Sequence, residues 1–173
     1  MTRLIDHARA GHWPSGEAAD AVRLDYEARY RRRILLTSAG GVEMLLDLPK
    51  AVPMSGGDGL RSDTGVWVTV EAADEPVVDI RAETPEKLAR LAWHLGNRHL
   101  ATQIGDGWLR IRPDHVIEAM LEGLGAVVHR LDAPFQPEGG AYGDHGHQPH
   151  DHHHHPHDTA QGHAHGHGHS HEH

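Results

Sequence analysis

The chain of 173 residues contains no cysteine. That excludes disulfides, thiolate zinc fingers and iron–sulfur clusters held by Cys. Any metal has to be held by imidazole or carboxylate, donors that suit Ni²⁺, Cu²⁺ or Zn²⁺ over softer ions. Long apolar runs are missing as well. No stretch approaches the ~20 residues a membrane-spanning helix needs. The start, Met1-Thr2-Arg3-Leu4-Ile5-Asp6, lacks the apolar core of a secretory signal, so a cytoplasmic location is expected. Positive charge is scarce: 16 Lys and Arg stand against 25 Asp and Glu, for a formal net charge of −9. Nothing forms a basic footprint for nucleic acid. The chain also lacks a P-loop, a helical H-E-x-x-H and any Ser-His-Asp spacing, and it reads as a non-enzyme.

Histidine is what the chain has in excess. Fourteen of its twenty histidines fall between His145 and His173, in a segment with no apolar side chain larger than Ala or Pro. Such a segment has nothing to bury and is expected to be a disordered, His-rich tail over 144–173. Imidazole is the commonest protein ligand for borderline divalent metals, so the tail reads as a metal collector. A purification tag is normally one compact homopolymer. Here the longest run is only His152 to His155, and the rest alternates as Gly-His, Ala-His and Ser-His with Asp144, Asp151 and Asp158 interspersed.

Ahead of the tail the pattern changes twice. Residues 1–75 read as a small all-β domain. Arg33–Thr37 and Val42–Leu46 flank Ser38-Ala39-Gly40-Gly41 as a hairpin. Ser55-Gly56-Gly57-Asp58-Gly59 is a turn, and Val66–Val70 is a β-branched strand. From 76 to about 132 the order is βαββαβ, the ferredoxin-like split βαβ arrangement. Pro76–Arg81 reads as a strand. Thr84 caps a helix with Pro85 in its first position and an apolar stripe at Leu88, Leu91, Ala92 and Leu95, stopped by Gly96-Asn97. Two short strands surround Gly105-Asp106-Gly107. Asp114 caps a second helix striped by Ile117, Met120, Leu121 and Leu124, and Ala126–Leu131 closes the set. Ala133 to Tyr142 reads as a linker, which extends the second domain to 143. The fold class is therefore α+β with a tail. A flexible chain of ~30 residues has a span of roughly 30 Å, so the tail can sweep back over the body.

Six histidines lie outside the tail: His7, His12, His94, His99, His115 and His129. His99 sits at or just past the end of the first helix, on the surface, where Gly96 lets the backbone turn. Taken alone it is an ordinary surface imidazole. His115 occupies the first position of the second helix and points away from its core. His94 flanks the first helix stripe, and His129 shares a strand face with Val127 and Leu131, so both read as structural. No partner is identifiable for His7 or His12.

His94-Leu95-Gly96-Asn97-Arg98-His99, Asp114-His115-Val116-Ile117-Glu118-Ala119-Met120-Leu121, Pro137-Glu138-Gly139-Gly140-Ala141-Tyr142 and the His-rich end together resemble the UreE family of urease accessory proteins. Leu48-Pro49-Lys50 and Gly56-Gly57-Asp58 extend the resemblance over essentially the whole chain. The resemblance implies a cytoplasmic nickel metallochaperone that delivers Ni²⁺ to urease, with an N-terminal domain similar to chaperone peptide-binding domains. It also implies a homodimer in which His99 and its twofold mate share one nickel. His145 and His147 best match the family's tail histidines that complete that site, and His115 matches a peripheral ligand. With His150 and His152 beside them in the tail, these six are the candidate ligands. Arg112-Pro113 stands where certain relatives carry extra histidines, which argues against an auxiliary site there. Implied partners are the urease apoprotein and accessory proteins including a GTPase. Zn²⁺ and Cu²⁺ remain chemically competent cargo. The alternative reading is a nickel or zinc storage protein in which the tail matters and the body is scaffold.

Overall fold

The computed structural model describes residues 1–139. Its first part is all β. Strands β1 (Thr2–Ala8), β2 (Asp20–Leu24), β3 (Arg33–Thr37), β4 (Glu43–Asp47), β5 (Gly59–Ser62) and β6 (Trp67–Ala72) form one six-stranded sheet in the order β2-β6-β5-β1-β4-β3. The expected hairpin is present, with β3 and β4 antiparallel and Leu36 opposite Met44. Alternation decides what is buried: Met44, Leu46 and Leu48 turn inward to join Leu4, Val22, Leu60, Val68 and Val70. Sequence reading missed β1, β2 and the short β5. Strands β1 and β2 also pair in parallel. Their parallel pairings with β4 and β6 depend on partners tens of residues away, which no local turn signal announces.

The second part contains β7 (Asp74–Arg81), α1 (Pro85–Asn97), β8 (Gln103–Gly105), β9 (Trp108–Ile111), α2 (His115–Gly123) and β10 (Val127–Pro134). The four strands are antiparallel throughout, in the order β10-β7-β9-β8. Both helices start as their sequences dictate. Thr84 Oγ1 accepts from the Lys87 amide at 3.2 Å, and Asp114 Oδ1 accepts from the Val116 and Ile117 amides at 3.0 and 3.1 Å. Leu91 and Leu95 of α1 and Leu121 of α2 pack with Val78, Ile80, Leu109 and Ile111 on one face of the sheet. The opposite face carries Asp79, bound by Arg110 at 2.6 and 3.1 Å, and Trp108, whose ring lies over Gly105. A Cβ on Gly105 would come within 2.0 Å of that ring, so only glycine fits there.

One expectation is overturned. The stretch read as a linker from Ala133 begins as structure: Ala133 and Pro134 belong to β10, and Phe135 is fully buried. Phe135 packs edge-on against Tyr26 at 5.2 Å, with Val77 and Ala133 beside it. The residue pattern hid this because the single Phe stands alone between two prolines, without periodicity. Arg29, itself buried, donates to the carbonyls of Phe135, Met54 and Asp25. Among the described residues no helix is long and apolar enough to cross a membrane.

Candidate metal site

Both helices finish in the same six-residue device. In α2 the Gly125 amide donates to Glu122 O at 2.9 Å and the Ala126 amide to Leu121 O at 3.0 Å, with Gly125 at φ +86°. This is a Schellman C-cap, in which the residue just past the cap adopts the left-handed conformation that glycine enters freely. In α1 the His99 amide donates to Gly96 O at 3.0 Å and the Leu100 amide to Leu95 O at 3.2 Å. Leu100 and Leu95 share the apolar cluster under the helices, the contact that usually accompanies the motif. The position that holds Gly125 in α2 holds His99 in α1, at φ +55°. His99 is the only non-glycine residue with positive φ among the described residues. The turn expected of Gly96 is therefore made by His99 itself, and Gly96 remains inside the helix.

A left-handed conformation costs an L-residue roughly 1–2 kcal/mol. Histidine tolerates it better than most, but folding alone has no use for an imidazole there. The side chain is exposed, not packed. Strain of this kind at an exposed position points towards function. Trp93, on the last turns of the same helix, is 65% exposed. Val116, the neighbour of His115, is 63% exposed.

His115 is exposed at the first position of α2, as its place after the Asp114 cap requires. Beneath it the buried Glu118 carboxylate accepts from the Asp114 amide at 3.1 Å and from Arg130 at 2.8 and 3.0 Å, which ties the helix start to β10. No three His, Asp or Glu side chains are brought together as a metal cluster among the described residues. Neither His99 nor His115 belongs to such a group. His145, His147, His150 and His152 lie outside the described residues.

The remaining body histidines have other work. His7 Nε2 lies 2.8 Å from Asp58 Oδ2, and the same carboxylate accepts from the Ala10 and Ser55 amides at 2.9 Å each. Burial pushes the Asp58 carboxyl upward, but His7 and the two amides together hold it below the usual carboxylate range. This pair escaped the sequence reading because its members are 51 positions apart. His94 lies against Trp93, ring centroids 5.0 Å apart. His129 is exposed on β10, an outer strand of its sheet, opposite Asp79 in register.

Two family models divide the chain between them and define its class. The UreE urease accessory protein N-terminal domain matches residues 1–73, and the UreE C-terminal domain matches residues 75–173. The chain is 55% identical over 146 residues to the urease accessory protein UreE of Bradyrhizobium sp. (strain ORS 278), covering 84% of this chain and 68% of that one. It is 54% identical over 154 residues to the UreE of Bradyrhizobium sp. (strain BTAi1 / ATCC BAA-1182), covering 87% and 73%. The chain belongs to the UreE family of urease accessory proteins.

Proposed function

We propose that this chain is a cytoplasmic nickel carrier for urease assembly, acting as an accessory protein and not as an enzyme. It works as a homodimer in which His99 and its twofold mate bind one Ni²⁺. His145 and His147 of the tail complete the coordination, His150 and His152 hold further ions, and His115 is a peripheral ligand. The body consists of a peptide-binding-like β unit, residues 1–75, and a ferredoxin-like unit, residues 76–143. The strand order β10-β7-β9-β8, with helices on one face, supports the second description. The acceptor is the urease apoprotein, reached together with accessory partners that include a GTPase.

The observation that carries this reading is His99 standing where the fold would place glycine. Two symmetry-related imidazoles supply only two ligands, too few to saturate a divalent ion. The open positions accept tail imidazoles or water and release them to an acceptor. That suits a carrier, which must take up metal and also give it away.

Nickel titration of the full chain tests the reading. His99→Ala is expected to remove the tightest site, while alanine at His145, His147, His150 and His152 lowers stoichiometry and leaves a His99-dependent site. Unchanged affinity in His99→Ala would sink the proposal. Loss of urease activation on His99→Ala, without greater sensitivity to high nickel, separates delivery from storage.

A further inference from the structure

The first part of the fold carries a cluster of cations that it leaves unneutralised. Arg31, Arg32, Arg33 and Lys50 are all exposed. The Leu48 amide donates to Arg32 O and the Met54 amide to Arg29 O, each at 2.9 Å, which ties residues 48–54 to 29–32 at both ends. Lys50 therefore stands within about 7 Å of Leu48, Cα to Cα, and beside the arginines. Arg33 lies opposite Asp47 in register, but that carboxylate is taken by Arg3, as Asp6 is taken by Arg61 at 2.8 Å. Among the described residues none of the four cations forms an ion pair or a side-chain hydrogen bond. The exposed Arg23, Lys87, Arg112 and Arg130, by contrast, each meet a carboxylate. Like charges set side by side repel, and a chain of net charge −9 has carboxylates enough to separate them. The fold does not use them here, so the cluster is left for an anion from outside.

A cleft of about 440 Å³ opens beside it, lined by Asp6, His7, Leu48, Pro49, Lys50 and Val52. Its polar walls are fixed: His7 is held by Asp58 at 2.8 Å, and Asp6 by Arg61. Lys50 belongs to both cleft and cluster, which joins a partly apolar slot to a cationic rim. We propose that Arg31, Arg32, Arg33, Lys50 and this cleft form a docking surface for an acidic segment of a partner protein, whose carboxylates face the cations while one apolar side chain enters the cleft. Arginine suits carboxylates because its planar fork binds them bidentately. A nucleic acid fits less well, since the net charge repels a polyanion at long range and the cleft offers no aromatic ring for a base to stack on. None of these residues belongs to the metal reading, so the two stand or fall separately.

The test is fluorescence anisotropy of a labelled peptide of Glu and Asp with one central Leu, added to the full chain at neutral pH with chelator present. Arg31→Gln with Lys50→Gln is expected to weaken binding about fivefold. Replacing the Leu of the peptide by Ser is expected to weaken it about tenfold. Raised salt should weaken the wild type more than the double variant, because fewer charges are left to screen. Arg81→Gln with Arg90→Gln, which removes exposed cations of the second part, and His99→Ala should both bind as wild type does. Urea midpoints level with wild type separate a lost contact from a lost fold. No binding at low salt overturns the proposal, and so does equal binding by wild type and Arg31→Gln/Lys50→Gln. An equal loss in Arg81→Gln/Arg90→Gln overturns it too, as does tighter binding of a single-stranded oligonucleotide of the same charge or of phosphatidylserine vesicles.

Discussion

Replacing His99 by glycine is expected to stabilise the protein and to deprive it of nickel at once. The left-handed conformation costs an L-residue roughly 1–2 kcal/mol, whereas glycine enters it without penalty. Glycine also loses more freedom on folding, by about 0.5–1 kcal/mol, which offsets part of the gain. The net expectation for His99→Gly is about 0.5–1 kcal/mol of added stability, a rise in Tm of about 2–3 °C at this chain length. His99→Ala, which removes the same imidazole but keeps a Cβ in the strained conformation, should be no more stable than wild type. Gly125 supplies a reciprocal control, because it fills the same place in α2 at φ +86°. Gly125→Ala is expected to destabilise by about 1 kcal/mol.

The assay is urea unfolding of chelator-treated protein at neutral pH and one fixed protein concentration, since the proposed dimerisation would make stability depend on concentration. The reasoning requires the order glycine above histidine, with alanine level with histidine or below it. Finding His99→Gly no more stable than His99→Ala would show that no strain is stored there. A glycine variant that is more stable and still binds nickel as tightly as wild type would leave the strain intact but remove the purpose proposed for it.

Other consequences can be measured separately. Arg29→Met should cost about 2–4 kcal/mol in urea unfolding, because the Phe135, Met54 and Asp25 carbonyls lose a charged, buried donor. Gly105→Ala is expected to displace Trp108, seen as a shift in tryptophan fluorescence and a stability loss of about 1–3 kcal/mol. Asp58 has a folded pKa below its unfolded value, so its contribution is present above about pH 4 and is lost as pH falls through the lower folded value. Wild-type unfolding midpoints should therefore drop below pH 4, and Asp58→Asn should be less stable at pH 7 with a flatter acid limb. Nickel loading of the full chain should weaken as pH falls through ~6.5, where protons compete for each imidazole. A loading curve flat between pH 8 and 5.5 would exclude imidazole as the principal donor.

Much of the second part could be read in advance because its signals are local. Thr84 followed by Pro85, the stripe through Leu88, Leu91 and Leu95, and the Asp114 cap each act within one or two helical turns. The structure keeps all of them. The first part was legible where a short turn links neighbours, as in β3 and β4, and where β-branched residues run together, as in β6, and not where β1 meets β4 in parallel across intervening strands. The site was half legible. His99 could be placed at a helix end, but the feature that distinguishes it was the missing glycine. α2 ends in Leu124-Gly125, whereas α1 has its glycine at Gly96, inside the helix, and turns at His99. The sequence shows the glycine but not which residue takes the left-handed conformation, because that depends on where the last helical hydrogen bonds fall.

On the proposed reading, the turn at His99 and the tail histidines address the same problem from two sides. A ligand fixed by a Schellman turn loses little freedom when metal binds, because the fold has already restricted its backbone. A ligand joined to the body only through the chain binds at a finite effective concentration and detaches one contact at a time. A site built wholly of fixed ligands would hold nickel too long, and one built wholly of tethered ligands would have no single address at which an acceptor could meet it. On that reading, fixed imidazoles at the body and further ones from the tail give a location to the metal and a stepwise route for its removal.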